Sequence, residues 1–300
     1  MNLDISSWKL FILESQGKEY VSFKINSETY QLSKNVEVFG RKNVFSIELD
    51  PSEIIKNNFL DQFEKKLKIN NINKVYFRIK PLQKQEKETR KAITLLKKRG
   101  FDISEINLIM LNLDSDEINL RKNLRKSYKS LINKESRILN IKSSIDNSEI
   151  KELFKDWIDT YKKAISRGGK KISNQTFDHL FNAIKKNECI LVGAYNKNNF
   201  MGGMIFSISK NFAIYNSSAN IEIVENDKTR SVGHFLMWNS ILILKKFGIK
   251  HLELGTFYNV DANSDYLKKW ISKEDGITKF KNGFGGDIIK SYYILKESIK

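Results

Sequence analysis

The sequence predicts an α/β protein of two domains, each a mixed sheet flanked by helices. Three observations carry this. The chain has 300 residues, about twice the ~150 of a common domain. Strand-like runs, apolar or alternating, are interleaved with helical stripes. The β/α order also starts again after about residue 140, which sets the expected domains at 1–140 and 141–300. A hydrophobic fraction of 40% and an aromatic fraction of 11% are enough for two real cores and exclude a disordered chain.

The elements follow in order. "WKLFILE", "EYVSFKI" and "VFSIEL" alternate or run apolar between Gly, Asn and Ser breaks, which predicts three strands in the first ~60 residues. Pro51, Ser52 and Glu53 then open a helix whose stripe is Ile54, Ile55, Phe59, Leu60, Phe63 and Leu67. "KVYFRIK" is a strand stopped by Pro81, "QEKETRKAITLLKKRG" a helix closed by Gly100, and "INLIMLNL" a strand. "DSDEINLRKNLRKSYKSLINKE" predicts one basic amphipathic helix, capped by Asp114 or Ser115. Leu120, Leu124, Tyr128, Leu131 and Ile132 form its apolar face, and Arg121, Lys122, Arg125, Lys126 and Lys129 fill the others.

After the strand-like "SRILNIKSS" come two helices, "SEIKELFKDWIDTYKKAIS" and "NQTFDHLFNAIKKNE", separated by a Gly-Gly loop. Strands "CILVGAYN", "FMGGMIFSIS" and "FAIYNSSAN", helix "VGHFLMWNSILILKKFG" and strands "KHLELGTFY" and "KSYYILKE" complete the chain. The second half is thus a mixed sheet with antiparallel hairpins and one helical crossover.

Fifty-two Lys and Arg against 35 Asp and Glu leave a formal charge of +17. That charge suits an anionic partner, a phosphate-rich ligand or nucleic acid. It also suits a Lys/Asn/Ile-biased composition, and it is spread along the whole chain. One cysteine excludes an internal disulfide framework, and Cys189 lies in a strand pattern that buries it. Three histidines and one cysteine give no metal-ligand spacing. No stretch approaches the ~20 apolar residues of a membrane span, and the first residues lack the basic start of a secretory signal. A cytoplasmic protein without a bound cofactor is expected.

Four places suit chemistry. Arg230 and Gly233 precede or open a helix, where backbone N–H groups favour phosphate. Glu253 stands where a strand gives way to a break at Gly255, a place where ligands collect in α/β sheets. His234 and His251 form a group with Tyr258 and Tyr266, in which a histidine would be a natural general base near neutral pH and each residue also suits a surface or packing role. The fourth is "KFKNGFGG", where Phe280 and Phe284 can anchor the segment and Gly285-Gly286 permits a tight turn. Lys281 is left to hold phosphate or a developing oxyanion.

Taken in order, several segments resemble the FemABX acyltransferases of the GNAT superfamily. They are "NLRKNLRKSYKSLINKE", "DWIDTYKKAISRGGKKISNQTFDHLFNAI", "LVGAYNKNNFMGGMIFSISKNFAIYNSSAN", "FLMWNSILILKKFGIKHLELG" and "ITKFKNGFGGDIIKSYYIL". The resemblance covers about residues 105 to 298, and its most specific part is the FK-x-x-FG element, Phe280 to Gly285.

It implies two tandem GNAT-like domains and the transfer of an acyl or aminoacyl group to an amine. It implies acyl-CoA or aminoacyl-tRNA as donor. The implied acceptor is an amine-bearing envelope precursor, nucleotide- or lipid-linked, such as an amino sugar, polysaccharide or peptidoglycan peptide. Lys281 matches the lysine that contacts donor or acceptor. Glu253 stands in place of the usual aspartate, and Gly255-Thr256 replaces a glycine pair. No long heptad pair is present for the helical arm of aminoacyl-tRNA-dependent members.

On this reading Lys281 and Glu253 are catalytic, and Arg230, Gly233 and His234 meet the donor. Arg121, Arg125, Tyr258, Phe280 and Phe284 meet the substrate. Peripheral contact with an anionic surface is a further expectation from the charge. The rival reading is a non-catalytic RNA- or polyanion-binding protein on a degenerate acyltransferase fold.

Overall fold

Where the strands pair, and which helices cover them, determines where a ligand can sit. The structure is a computed structural model and describes residues 20–38, 41–79, 86–146, 149–166, 174–221, 224–225, 228–229, 232–257 and 276–297. The expected strand "WKLFILE" lies outside these residues. The chain forms two compact units. One joins Ile109–Gly255 with Gly276–Asp287, and the described part of the other runs over 20–108, 256–257 and 288–297. The division thus falls at Leu108/Ile109 rather than at 140, and the last strand returns to the N-terminal unit.

The N-terminal unit begins with an antiparallel meander, β1 (Tyr20–Ile25), β2 (Glu28–Val38) and β3 (Arg41–Leu49). β2 was not expected from the sequence. β4 (Lys74–Ile79) adds parallel to β3, with Phe45 opposite Val75. β13 (Asp287–Glu297) adds antiparallel to β4, with Tyr292 opposite Ile79. The Lys296 ammonium secures that strand by donating to Glu64 Oε1 at 2.9 Å and to the Arg99 carbonyl at 2.8 Å.

The helix expected over residues 51–69 is two helices, α1 (Pro51–Ile54) and α2 (Phe59–Ile69). Asp50 and Glu53 form a capping box at α1, and Asn58, in the left-handed region at φ 61°, precedes α2. Leu60, Phe63 and Leu67 of α2 pack with Phe77 of β4 and with Ala92 and Leu96 of α3 (Glu86–Lys98). Phe63 meets Phe77 edge-on at 6.3 Å. β5 (Asp102–Asn112) carries the chain across the division between the units.

In the other unit the sheet order is β12-β9-β8-β7-β6. β6 (Asn140–Ser143), β7 (Cys189–Asn196), β8 (Asn199–Ser209) and β9 (Phe212–Asn220) run antiparallel in turn, and β12 (His251–Phe257) lies parallel to β9. A short hairpin, β10 (Val224–Glu225) with β11 (Lys228–Thr229), precedes α8 (Val232–Lys246), the crossover helix between β9 and β12. The expected hairpins and single crossover are therefore present.

β7 is buried along nearly its whole length because helices cover both faces. One face meets α6 (Ile150–Ser166) and α7 (Asn174–Lys185), and α8 also packs on β7, β8 and β9. Cys189 is buried in this sheet, and burial pushes its thiol pKa well up, so it is an inert core group.

Two glycines let α6 approach the sheet closely. A Cβ on Gly193 would lie 2.5 Å from Leu153 Cδ1, and one on Gly203 would lie 2.8 Å from Trp157 Cδ1. Trp157 is 0% exposed and stacks on Tyr161 at 4.5 Å. Replacing Trp157 by Ala should therefore cost ~3–5 kcal/mol in urea unfolding. Gly203→Ala should cost ~1–3 kcal/mol through overpacking. A loss below ~1 kcal/mol for the tryptophan would contradict this packing.

Candidate active site

Register brings several chain segments to one end of this sheet. Asn140 of β6 faces Tyr195, Gly202 of β8 faces Asn220, and β12 runs in the direction of β9. The start of β6 thus lies with the C-terminal ends of β7, β9 and β12, the end where α/β sheets bind ligands. α8 begins there: a Cβ on Gly233 would lie 3.6 Å from Asn220 Nδ2 and 3.7 Å from Phe280 Cε2.

The FK-x-x-FG element joins at this point as the end of a short helix, α9 (276–282), which the sequence did not predict. The turn is closed by backbone bonds from Gly283 to Lys279, Phe284 to Lys281 and Gly285 to Asn282, each 3.2 Å. Gly285 takes the left-handed conformation at φ +80°, as at many helix C-termini.

Gly283 is bare for a different reason: a Cβ would lie 2.2 Å from Cε2 of Tyr128. The Tyr128 hydroxyl donates to the carbonyls of Lys279 at 3.2 Å and Phe280 at 3.3 Å. Its ring packs edge-on against His234 at 4.3 Å and Phe284 at 5.2 Å, and Phe280 meets Phe284 edge-on at 5.2 Å.

This contact also explains why the predicted basic helix is two helices. α4 (Glu117–Asn123) and α5 (Lys126–Glu135) are interrupted by extended Leu124 and Arg125. At the break the Arg125 N–H donates to the Gly283 carbonyl at 2.9 Å, and the Asn123 carbonyl lies 2.5 Å from where a Gly285 Cβ would be. Amphipathic spacing runs unbroken through residues 117–135, so the sequence carries no local sign of the interruption.

Lys281 reaches across the end of β12. Its Nζ lies 2.9 Å from where a Cβ on Gly255 would be, and 5.8 Å from the centroid of the Tyr215 ring of β9. Gly255 adopts φ +100°, a second reason for glycine there. Glu253 stands two residues earlier in β12, in register with Ile214, and is 2% exposed. Lys281, Gly255, Gly233, His234 and Phe280 therefore gather at one end of one sheet. Glu253 does not stand at a strand end as expected, because β12 continues to Phe257 and pairs Glu253 with Ile214 near the start of β9.

Other expectations fare differently. Phe284, at 1% exposure, is an anchor of the turn and not a surface for substrate, while Phe280 is half-buried. The Arg121 guanidinium lies 5.5 Å over the Trp238 ring and donates to Asn133 Oδ1, and Arg125 is exposed. His251 opens β12 and so stands at the strand's opposite end from Gly255. Arg230, Tyr258 and Tyr266 lie outside the described residues. Sequence reasoning treated Tyr128 only as part of an apolar stripe, although it is the side chain that holds the FK turn. A tyrosine among leucines and isoleucines was the available signal, since a buried hydroxyl needs an acceptor.

No protein-family model matches the sequence, and no curated protein sequence matches it. Solved structures do. FemX aligns over 96% of this chain and 89% of its own, with TM-score 0.62 and 13% identity. L-PGS from Bacillus licheniformis aligns over 96% and 86%, with TM-score 0.63 and 11% identity. The C-terminal DUF2156 domain assigned to a lysylphosphatidylglycerol synthetase of Agrobacterium fabrum aligns over 98% and 88%, with TM-score 0.62 and 11% identity. The fold is FemX-like. At these identities the likeness establishes the fold alone, and it bears out the expected mixed α/β architecture.

In this FemX-like fold, burial among the three aromatic rings lowers the His234 pKa below its ordinary value. The unfolded chain then binds a proton more readily than the folded one, so this histidine destabilises the fold as pH drops below about 6.5. Thermal melts of the native protein should lose more stability between pH 7 and 5 than melts of His234→Phe. Parallel curves would contradict this assignment.

Proposed function

We propose that this protein is an acyltransferase that joins an acyl or aminoacyl group to an amine. The observation that carries the reading is the placement of Lys281 over Gly255 at the C-terminal end of β12, within a FemX-like fold. In such a reaction an amine attacks the carbonyl carbon of an ester or thioester. The C–N bond forms, the C–O or C–S bond breaks, and a proton leaves the attacking nitrogen as the leaving group takes one up. The tetrahedral intermediate carries an oxyanion, and a cation on a rigid turn is suited to stabilise it. Positioning supplies much of the remaining rate, and no covalent nucleophile is needed.

Lys281 holds the oxyanion or a phosphate of the donor. Glu253 orients the strand end or receives the proton. Gly233 and His234, with Arg230 beside them in sequence, meet the donor. Arg121, Arg125 and Tyr258 contribute on the substrate side, with Phe280 exposed enough to touch it. The donor is an acyl-CoA or an aminoacyl-tRNA. The acceptor is an amino group on an envelope precursor, an amino sugar, polysaccharide or peptidoglycan peptide. The names of FemX and of the lysylphosphatidylglycerol synthetase support acyl transfer toward envelope components. Among the described residues no helix is long and apolar enough to cross a membrane. On this reading exposed Lys122, Arg125 and Lys126 suit peripheral contact with an anionic surface that presents the acceptor.

The test is amide formation by the purified protein with acyl-CoA and aminoacyl-tRNA donors, each against amino-sugar and peptide amines. Lys281→Ala should lower turnover by ~10²–10³ with little loss of folded stability. Unchanged turnover in that variant would remove Lys281 from the mechanism. Salt-sensitive RNA binding with no transfer from any donor would favour the polyanion-binding reading instead.

A further inference from the structure

α5 buries three side chains, Tyr128, Ile132 and Glu135. Their spacing, i, i+4 and i+7, is that of an apolar stripe on one helix face. The third position of the stripe is a carboxylate. Glu135 is 1% exposed, and among the described residues no group hydrogen-bonds to its Oε2. Among the described residues, ion pairs engage Glu28, Glu64, Glu86, Glu105, Glu149 and Glu297, all far more exposed, and none engages Glu135. A buried carboxylate without a partner is costly, and it persists where something outside the chain completes it.

Its location narrows what that is. The Leu139 N–H donates to the Glu135 carbonyl at 2.9 Å, and Asn140 opens β6 opposite Tyr195. Glu135 therefore lies at the same sheet end as Asn220, Gly233 and Lys281. It stands about 10 Å along α5 from Tyr128, by the rise of 1.5 Å per residue. α5 packs on α8, the helix that carries Gly233 and His234. The helix that fixes the FK turn at its start thus delivers an unpaired carboxylate at its end. The C-terminal end of a helix already carries partial negative charge, so that position favours a cation over a second anion.

We propose that Glu135 is the seat of a substrate ammonium group, a binding carboxylate across the sheet end from Lys281. It rests on the acyltransfer reading above, in which an amine is either the acceptor or part of an aminoacyl donor. Both sources share one chemistry, a primary ammonium. An anionic group would leave the carboxylate unmatched, and a neutral donor would match it less strongly than an ammonium does. A stable fold alone would be better served by leucine at this position.

Two measurements test it. In the first, carbon-13 glutamate-labelled protein is titrated with protonated glucosamine, standing for an acceptor amine, and with L-alanine methyl ester, standing for an aminoacyl donor. The resonance of Glu135, assigned by its loss in Glu135→Gln, should shift with one probe or both, and the responding probe identifies the source. Glu135→Gln should weaken that binding by about tenfold or more. In the second, Glu135→Leu should melt higher than the native protein, because it removes a buried polar group that lacks a hydrogen-bond partner. The proposal is overturned if neither probe moves the resonance, if Glu135→Gln binds as tightly as the native protein, or if Glu135→Leu melts lower. Transfer activity separates the two readings. If Lys281→Ala abolishes transfer while Glu135→Gln retains it with unchanged amine KM, the acyltransferase stands and the ammonium seat falls.

Discussion

Tyr128 against Gly283 is the contact on which the arrangement of the site depends. The ring occupies the space that a Cβ on Gly283 would need, and the hydroxyl holds two carbonyls just before the turn. Any side chain at 283 would push the ring away, and loss of the ring would release Phe284 and His234 together. A single van der Waals constraint thus sets the position of α9, and α9 sets where the Lys281 ammonium emerges. The break between α4 and α5 belongs to the same constraint. An unbroken helix would present neither the Arg125 N–H to Gly283 nor the Asn123 carbonyl to Gly285.

Around this contact the physical environment is divided. His234, Phe280, Phe284 and Tyr128 make an apolar aromatic group that disfavours charge, as the lowered His234 pKa reflects. Lys281 lies beside it, where Gly255 of β12 leaves room for an ammonium. Electrostatic interactions strengthen where water is excluded. An ammonium beside a glycine and an aromatic face is restrained by sterics, and restraint is what a group must have to stabilise charge that develops only during a reaction.

The basic excess has a different character from the site. Lys122, Arg125 and Lys126 are exposed on α4 and α5 or at the break between them, while Arg121 is tied to Trp238 and Asn133. The opposite face of α5 holds buried Tyr128, Ile132 and Glu135. One helix therefore separates a solvated cationic surface from a buried stripe that ends in a carboxylate. Long-range attraction of an anion and short-range recognition of a cation can coexist there because solvent screens the first far more than the second.

Sequence alone determined the class of this fold, the helical crossover, the burial of Cys189 and the anchored turn of "KFKNGFGG". These follow from local periodicity, from glycine's freedom at positive φ and from the mismatch of a lysine with two aromatic anchors. It ended the strand at Glu253, whereas β12 runs on to Phe257 and buries Glu253 within the sheet. Tertiary structure decided the rest. The last strand belongs to the N-terminal unit because β13 pairs with β4, a contact between residues more than two hundred apart. The break at Leu124 and Arg125 came from a hydrogen bond to Gly283, which no local propensity encodes. Gly255, Gly283 and Gly285 look alike in sequence. Only packing shows that one makes room for an ammonium, one for a ring, and one for a backbone carbonyl at a positive φ. Periodicity reports which face of an element is buried, but not which side chain on a distant element fills the space opposite it.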